Sequence, residues 1–161
     1  MSQCYINGSY EHITNAQVSV EDRGFNFSDG VYEVIKFKSK ILISYDKHIS
    51  RLKKSLKELR ITSPFTNIVS LKIIIENLIK INNLEHGFIY LQITRGTAKR
   101  NHLFPEQSKP NIVIFSLPEK DLINLKKGVK IGLIEDKRWL RCDIKSISLL
   151  PNVLDKQSGF E

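Results

Sequence analysis

Cysteine is scarce in this chain. There are only two, Cys4 and Cys142, and their separation excludes both a disulfide framework and the close spacing of a cysteine metal site. No apolar run reaches the length of a membrane span, so no membrane partner is expected. Neither an internal repeat nor a low-complexity linker is present. Acidic residues are the minority sign, 17 against 25 Lys and Arg, for a net charge of +8. That excess suits acidic or phosphate-bearing ligands, or nucleic acid. The basic residues are nevertheless spread along the chain, which is also how an ordinary solvated surface looks. The opening residues Met1-Ser2-Gln3-Cys4-Tyr5 carry neither the basic nor the apolar stretch of a secretion signal. The expected compartment is cytoplasmic.

Apolar residues make up 41% of the 161 residues and charged ones 26%, a balance that supports a packed core rather than disorder. Tyr5 to Tyr10 reads as a hairpin, because Asn7-Gly8 tolerates the positive φ angles of a two-residue turn. Two glycines, Gly24 and Gly30, shape the loop 21–30. Val31 to Phe37 is β-prone and pairs with Lys40 to Ile43 through a turn at Lys38-Ser39. Ser44 reads as a helix N-cap, with Asp46 in the first turn. Ile49, Leu52, Leu56 and Leu59 then recur at helical spacing, with His48, Arg51 and Ser55 beside that stripe and able to edge a pocket. A second helix is expected from about Thr66 to Ile81, stopped by Asn82-Asn83 and Gly87. Strands follow over Phe88 to Thr94 and Asn111 to Ser116, and another over Val129 to Ile134. The pattern predicts an α+β fold, two helices on one face of a mainly antiparallel sheet. The polar stretch from Pro118 to Lys127 is a candidate domain boundary.

Two stretches carry chemistry. Lys145 stands between Ile144 and Ile147, with Leu149 and Leu150 behind it. Desolvation among apolar side chains disfavours an ammonium, and a neutral amine attacks an aldehyde to form a Schiff base. Locally, the plainer reading of a solvated lysine with its stem laid on the surface stands beside this one. The second stretch runs from Thr94 to His102. If Arg100 to His102 is extended, the two side chains share a face, and a guanidinium beside an imidazole receives a carboxylate. A solvated basic loop is the plain alternative there, as one more surface cation is for Arg51.

The segments Glu21-Asp22-Arg23-Gly24, Asp29-Gly30-Val31-Tyr32-Glu33, His48-Ile49-Ser50-Arg51-Leu52, Thr94 to His102 and Trp139 to Lys145 appear in order across nearly the whole chain. In this the sequence resembles the class IV, or fold type IV, pyridoxal-phosphate aminotransferases, most of all their D-amino acid branch. The resemblance implies that Lys145 is catalytic: it carries pyridoxal 5′-phosphate and shuttles the proton between the substrate Cα and the cofactor. It implies that Arg51 binds the cofactor phosphate. Tyr32, Arg100 and His102 correspond to the trap for the substrate carboxylate, and Tyr90 to an aromatic residue lining that pocket. The Arg and His reach in from a partner subunit in the family, so a homodimer is implied, with amino acid and 2-oxo acid substrates, no metal and no nucleic acid.

Such a clamp fixes which substrate face meets Lys145, and Arg100-Asn101-His102 favours D-amino acids, such as D-alanine, over the branched-chain and aminodeoxychorismate lyase branches of the same fold. The resemblance implies an N-terminal two-layer α/β sandwich over 1–120, then a linker and the start of the family's second α/β domain over 121–161. That second domain extends well past the lysine. It supplies a glutamate for the pyridine nitrogen and backbone groups for the phosphate, so a chain ending at Glu161 is expected to be truncated and compromised in activity. The apolar residues Ile147, Leu149, Leu150 and Val153 are then expected to be exposed. The remaining reading is a non-catalytic basic remnant, opposed by the presence of these residues and by the lack of a stacking pattern for bases.

Overall fold

A computed structural model describes residues 2–65, 67–119, 128 and 131–160. Its centre is a six-stranded sheet in the order β2-β1-β6-β5-β3-β4. The strands are β1 (Gln3–Ile6), β2 (Ser9–His12), β3 (Gly30–Lys38), β4 (Ile41–Leu42), β5 (His86–Thr94) and β6 (Asn111–Pro118), and every pairing is antiparallel. The long helices α2 (Tyr45–Glu58) and α3 (Ile68–Ile81) supply the layer packed against it; a five-residue α1 (Arg23–Phe27) precedes β3, and α4 (Leu150–Ser158) follows Lys145. The fold is α+β, as expected.

Period-two alternation decides which strand face is covered. In β3, Val31, Glu33, Ile35 and Phe37 are buried, while Tyr32, Val34 and Lys36 are partly exposed. Ile49, Leu52 and Leu56 of α2 and Leu71, Ile75, Leu78 and Ile79 of α3 join the inward strand residues in one core. Burying each such side chain contributes about 1.5–3 kcal/mol and decides which face of each helix meets the sheet.

Several local expectations change. The β1–β2 turn is as predicted, with Asn7 at φ 49° and Gly8 at φ 116°. Loop 21–30 contains α1, capped by the Asp22 carboxylate, which accepts from the Gly24 and Phe25 N–H groups. Ser44 is the N-cap residue of α2, as expected, but at φ 52° it makes no side-chain capping bond. Gly87 is no stop signal: it lies inside β5, opposite Phe37 and Pro118. For α3, Asn67 is the cap, accepting from the Val69 N–H, and the expected start at Thr66 lies outside the described residues. Residues 131–134 form no strand. Val129 and Lys130 of that expected strand, and most of the expected boundary, lie outside the described residues. After Lys145 a helix spans Leu150–Ser158. Leu150 and Val153 are exposed, whereas Ile147 and Leu149 are half-buried.

Candidate functional site

The strand β4 covers only Phe37 and Lys38 of β3. The first half of β3 is therefore open on that edge, and the segment 145–147 occupies it. The Tyr32 N–H donates to the Lys145 carbonyl at 3.1 Å and the Ile147 N–H to the Gly30 carbonyl at 3.2 Å, with Val31 and Ser146 forming an antiparallel bridge. Gly30 is required by close approach: a Cβ there would lie 2.7 Å from the Ile93 carbonyl oxygen and 3.1 Å from Ile147 Cδ1. Ile144 is buried in the core on one side of Lys145 and Ser146 is buried on the other. The lysine is thus fastened to the sheet by its backbone while its side chain projects into a cavity.

That cavity has a volume of about 260 Å³ and is lined by Tyr32, Arg51, Arg138, Trp139, Cys142 and Asp143, then Ile144 to Ser146, Ser148, Leu149 and Asn152. Lys145 Nζ stands 3.8 Å from the centre of the Tyr32 ring, a cation–π contact. Tyr32 stacks on Tyr90 at 5.7 Å, and Tyr90 on Phe115 at 4.8 Å. The Tyr90 hydroxyl donates to Gln92 Oε1 at 2.7 Å, and burial pushes its pKa up.

Arg51 enters the cavity from α2 and is held from below. Its Nε donates to Glu33 Oε1 and its Nη2 to Glu33 Oε2, each at 2.7 Å. His48 Nδ1 lies 2.8 Å from Glu33 Oε2. Glu33 is fully buried, whereas the Arg51 side chain is 48% exposed. The hydrogen bonds to Glu33 raise the Arg51 pKa further. A forked guanidinium so held presents a fixed cation to the cavity.

Tyr32, Arg51 and Lys145 thus share one cavity, with Tyr90 stacked behind Tyr32. Arg100 and His102 do not share it. Both lean on Phe27, the Arg100 guanidinium 5.1 Å and the His102 ring 5.2 Å from its centre. His102 lines a neighbouring cavity with Arg23, Phe27 and Phe104, and Trp139, Ser146 and Ser148 border both cavities.

Glu33 had no assigned role from sequence. Its signal was present all the same, since alternation puts an acid on the core face between Val31 and Ile35, where it requires a partner. A buried polar brace also went unread. Asp29 receives Arg23 Nε at 2.8 Å and Arg95 Nε at 2.7 Å. Asp22 also accepts from the Thr94 hydroxyl and the Asn111 amide. These bonds fix α1 to the start of β3 and the end of β5. Among the described residues no cluster of metal-ligating side chains occurs, and no helix is long and apolar enough to cross a membrane.

The donor set can be matched to a cofactor. A primary amine, a braced guanidinium and an aromatic face around one cavity fit a ligand that carries an aldehyde, a phosphate and a ring. Pyridoxal 5′-phosphate has those three parts.

Comparison with known proteins gives a consistent picture. D-alanine aminotransferase of Staphylococcus haemolyticus is 40% identical over 159 residues, 98% of this chain and 56% of that protein. The Bacillus licheniformis D-alanine aminotransferase is 41% identical over 97% of this chain and 55% of its own. The chain thus spans a little over half the length of the curated relatives it matches. Among solved structures, 4-amino-4-deoxychorismate lyase from Pseudomonas aeruginosa superposes with a TM-score of 0.76 at 21% identity, over 96% of this chain and 56% of that one. The branched-chain aminotransferase from Escherichia coli gives 0.69 at 21% identity, over 73% and 41%. Another branched-chain amino acid aminotransferase, complexed with N-(5′-phosphopyridoxyl)-L-glutamate, gives 0.65 at 19% identity, over 73% and 41%. At these identities the structural likeness establishes the shared fold. The family model for amino-transferase class IV matches residues 30–158, most of the chain, and the chain belongs to that family.

Proposed function

We propose that this chain is part of a pyridoxal-phosphate-dependent transaminase that moves an amino group between a D-amino acid, such as D-alanine, and a 2-oxo acid. The observation that carries the reading is the single cavity holding Lys145, Tyr32 and the Glu33-braced Arg51. The relatives named D-alanine aminotransferase favour the D-amino acid branch over the branched-chain enzymes and the lyase, which share only the fold at low identity.

Bound pyridoxal phosphate would supply the electron sink. The chain's own residues do the rest. Lys145 holds the cofactor through its Nζ and afterwards carries the proton to and from the substrate Cα. Arg51 grips the phosphate, and Glu33 and His48 keep its guanidinium oriented towards the cavity. Tyr32 bounds the amine on the sheet side. Arg100 and His102, which lie against Phe27 and do not line the cavity of Lys145, receive the substrate carboxylate at the cavity of a second copy, as the family resemblance implies. A homodimer follows from that assignment, and the cytoplasm is its proposed compartment. A division near residue 120 also belongs to this reading: residues 131–137 have no regular structure, and the segment around Lys145 returns to pack on β3.

The test is a transamination assay with D-alanine and a 2-oxo acid, against L-leucine and an aminodeoxychorismate-type substrate. D-alanine turnover that falls roughly ten- to hundredfold in kcat/KM with Arg100→Ala, the size of a lost charge-assisted fork, supports the reading. Turnover of L-leucine or pyruvate release from the lyase substrate would replace it.

A further inference from the structure

Lys145 is gripped at both its backbone N–H and its carbonyl by residues far away in the chain. Its carbonyl accepts from the Tyr32 N–H at 3.1 Å, and its own N–H donates to Ser55 Oγ at 3.1 Å. Ser55 lies in α2 between Leu52 and Leu56, and only 1% of its surface is exposed. A hydroxyl buried there costs free energy unless it is used. Alanine is the better helix former at such a position. Neither helix propensity nor core packing accounts for a serine at this site, whereas the bond to Lys145 does.

We infer that Ser55 is a positioning residue for Lys145. Arg51 and Ser55 are four apart on α2, so they lie on the same face one turn apart. The Ser55 bond therefore ties the peptide that carries the amine to the helix that carries the guanidinium. It sets the span between Lys145 Nζ and Arg51, and it keeps Nζ over the Tyr32 ring. Without it, the Lys145 N–H loses its partner and the tie to α2, while the segment stays held to β3 by the Tyr32 and Ile147 bonds. The inference rests on the reading of Lys145 as the amine that captures the cofactor aldehyde.

The experiment compares wild type, Ser55→Ala, Ser55→Thr and Ser55→Cys in the full chain. Two readouts are taken: amide hydrogen exchange at Lys145 by NMR, and the fraction of Lys145 captured by limiting pyridoxal 5′-phosphate, fixed by borohydride reduction and read by peptide mass mapping. Ser55→Ala should raise Lys145 amide exchange by about tenfold, the size of one net hydrogen bond. The Ile144 amide, which donates to the Arg141 carbonyl, should stay unchanged as an internal reference. Capture at Lys145 should fall severalfold. Ser55→Thr, which keeps the acceptor, should restore both, and Ser55→Cys, a weak acceptor of similar size, should fall between. Wild-type exchange and capture in Ser55→Ala would overturn the positioning role while leaving the reading of Lys145 intact. Absence of preferential capture at Lys145 in wild type would overturn the reading itself, and the inference with it.

Discussion

Both carboxylate oxygens of the fully buried Glu33 are bonded to one guanidinium, that of Arg51, at 2.7 Å each. The pair joins the inward face of β3 to the cavity edge of α2, and its two members are unequal. Arg51 can be rehydrated if its partner is lost; Glu33 cannot.

Arg51→Ala should therefore destabilise the fold as well as weaken phosphate binding. The carboxylate would keep His48 alone. Loss of charge-assisted bonds to a buried group costs about 1.5–3 kcal/mol, and the lower end applies because Arg51 is half exposed. Arg51→Lys should recover part of this, since an ammonium keeps the charge but not the fork. Urea midpoints at neutral pH measure it. An Arg51→Ala variant as stable as wild type would show that the brace carries no folding energy.

Asp22 tests the polar brace behind the site. Its carboxylate accepts from the Gly24 and Phe25 N–H groups, the Thr94 hydroxyl and the Asn111 amide. Asp22→Ala should cost about 2–4 kcal/mol, combining a lost helix cap with buried donors left unpaired. Asp22→Asn should cost less, because its one carbonyl keeps some of those bonds. Thermal unfolding of the two variants ranks them, and equal midpoints would contradict the brace.

Tyr45 gives a pH dependence. Burial raises its pKa from 10.0 to about 12, and its hydroxyl donates to the Ile68 carbonyl at 3.4 Å, joining α2 to α3. The folded state holds the proton longer than the unfolded state, so the stabilisation is complete below about pH 10 and is lost as pH rises towards about 12. Stability should fall across that window in wild type and fall less in Tyr45→Phe. Parallel stability curves for the two proteins in alkali would rule the effect out.

Much of the fold was legible because it is written in local periodicity. Alternation in Val31 to Phe37, the three-and-four spacing in Ile49 to Leu56 and the Asn7-Gly8 turn each act within a few residues. Ser44 takes the N-cap position that its residue type suits, but its own left-handed φ of 52° keeps the side chain from capping. Gly87 misled because a glycine is read as a stop when its neighbours are unknown. The pairing of 145–147 with the open edge of β3 has no local signature. It depends on β4 being only two residues long, and Gly30 is its one trace in the sequence. The bonds from Lys145 to Tyr32 and Ser55 cross the whole domain and are visible only in three dimensions. The same holds for the position of Arg100 and His102 against Phe27; residues 100–102 belong to no strand, so the alternation argument does not apply to them.

One amine, Lys145 Nζ, carries the proposed chemistry. Purified chain should be incubated with pyridoxal 5′-phosphate, its visible absorbance recorded, and the adduct reduced with borohydride and mapped by mass spectrometry, in wild type and Lys145→Ala. The prediction is a visible band in wild type, label on Lys145 ahead of the other lysines, and loss of both in Lys145→Ala while the fold persists. Label spread evenly over the surface lysines, or a band undiminished in Lys145→Ala, would contradict it.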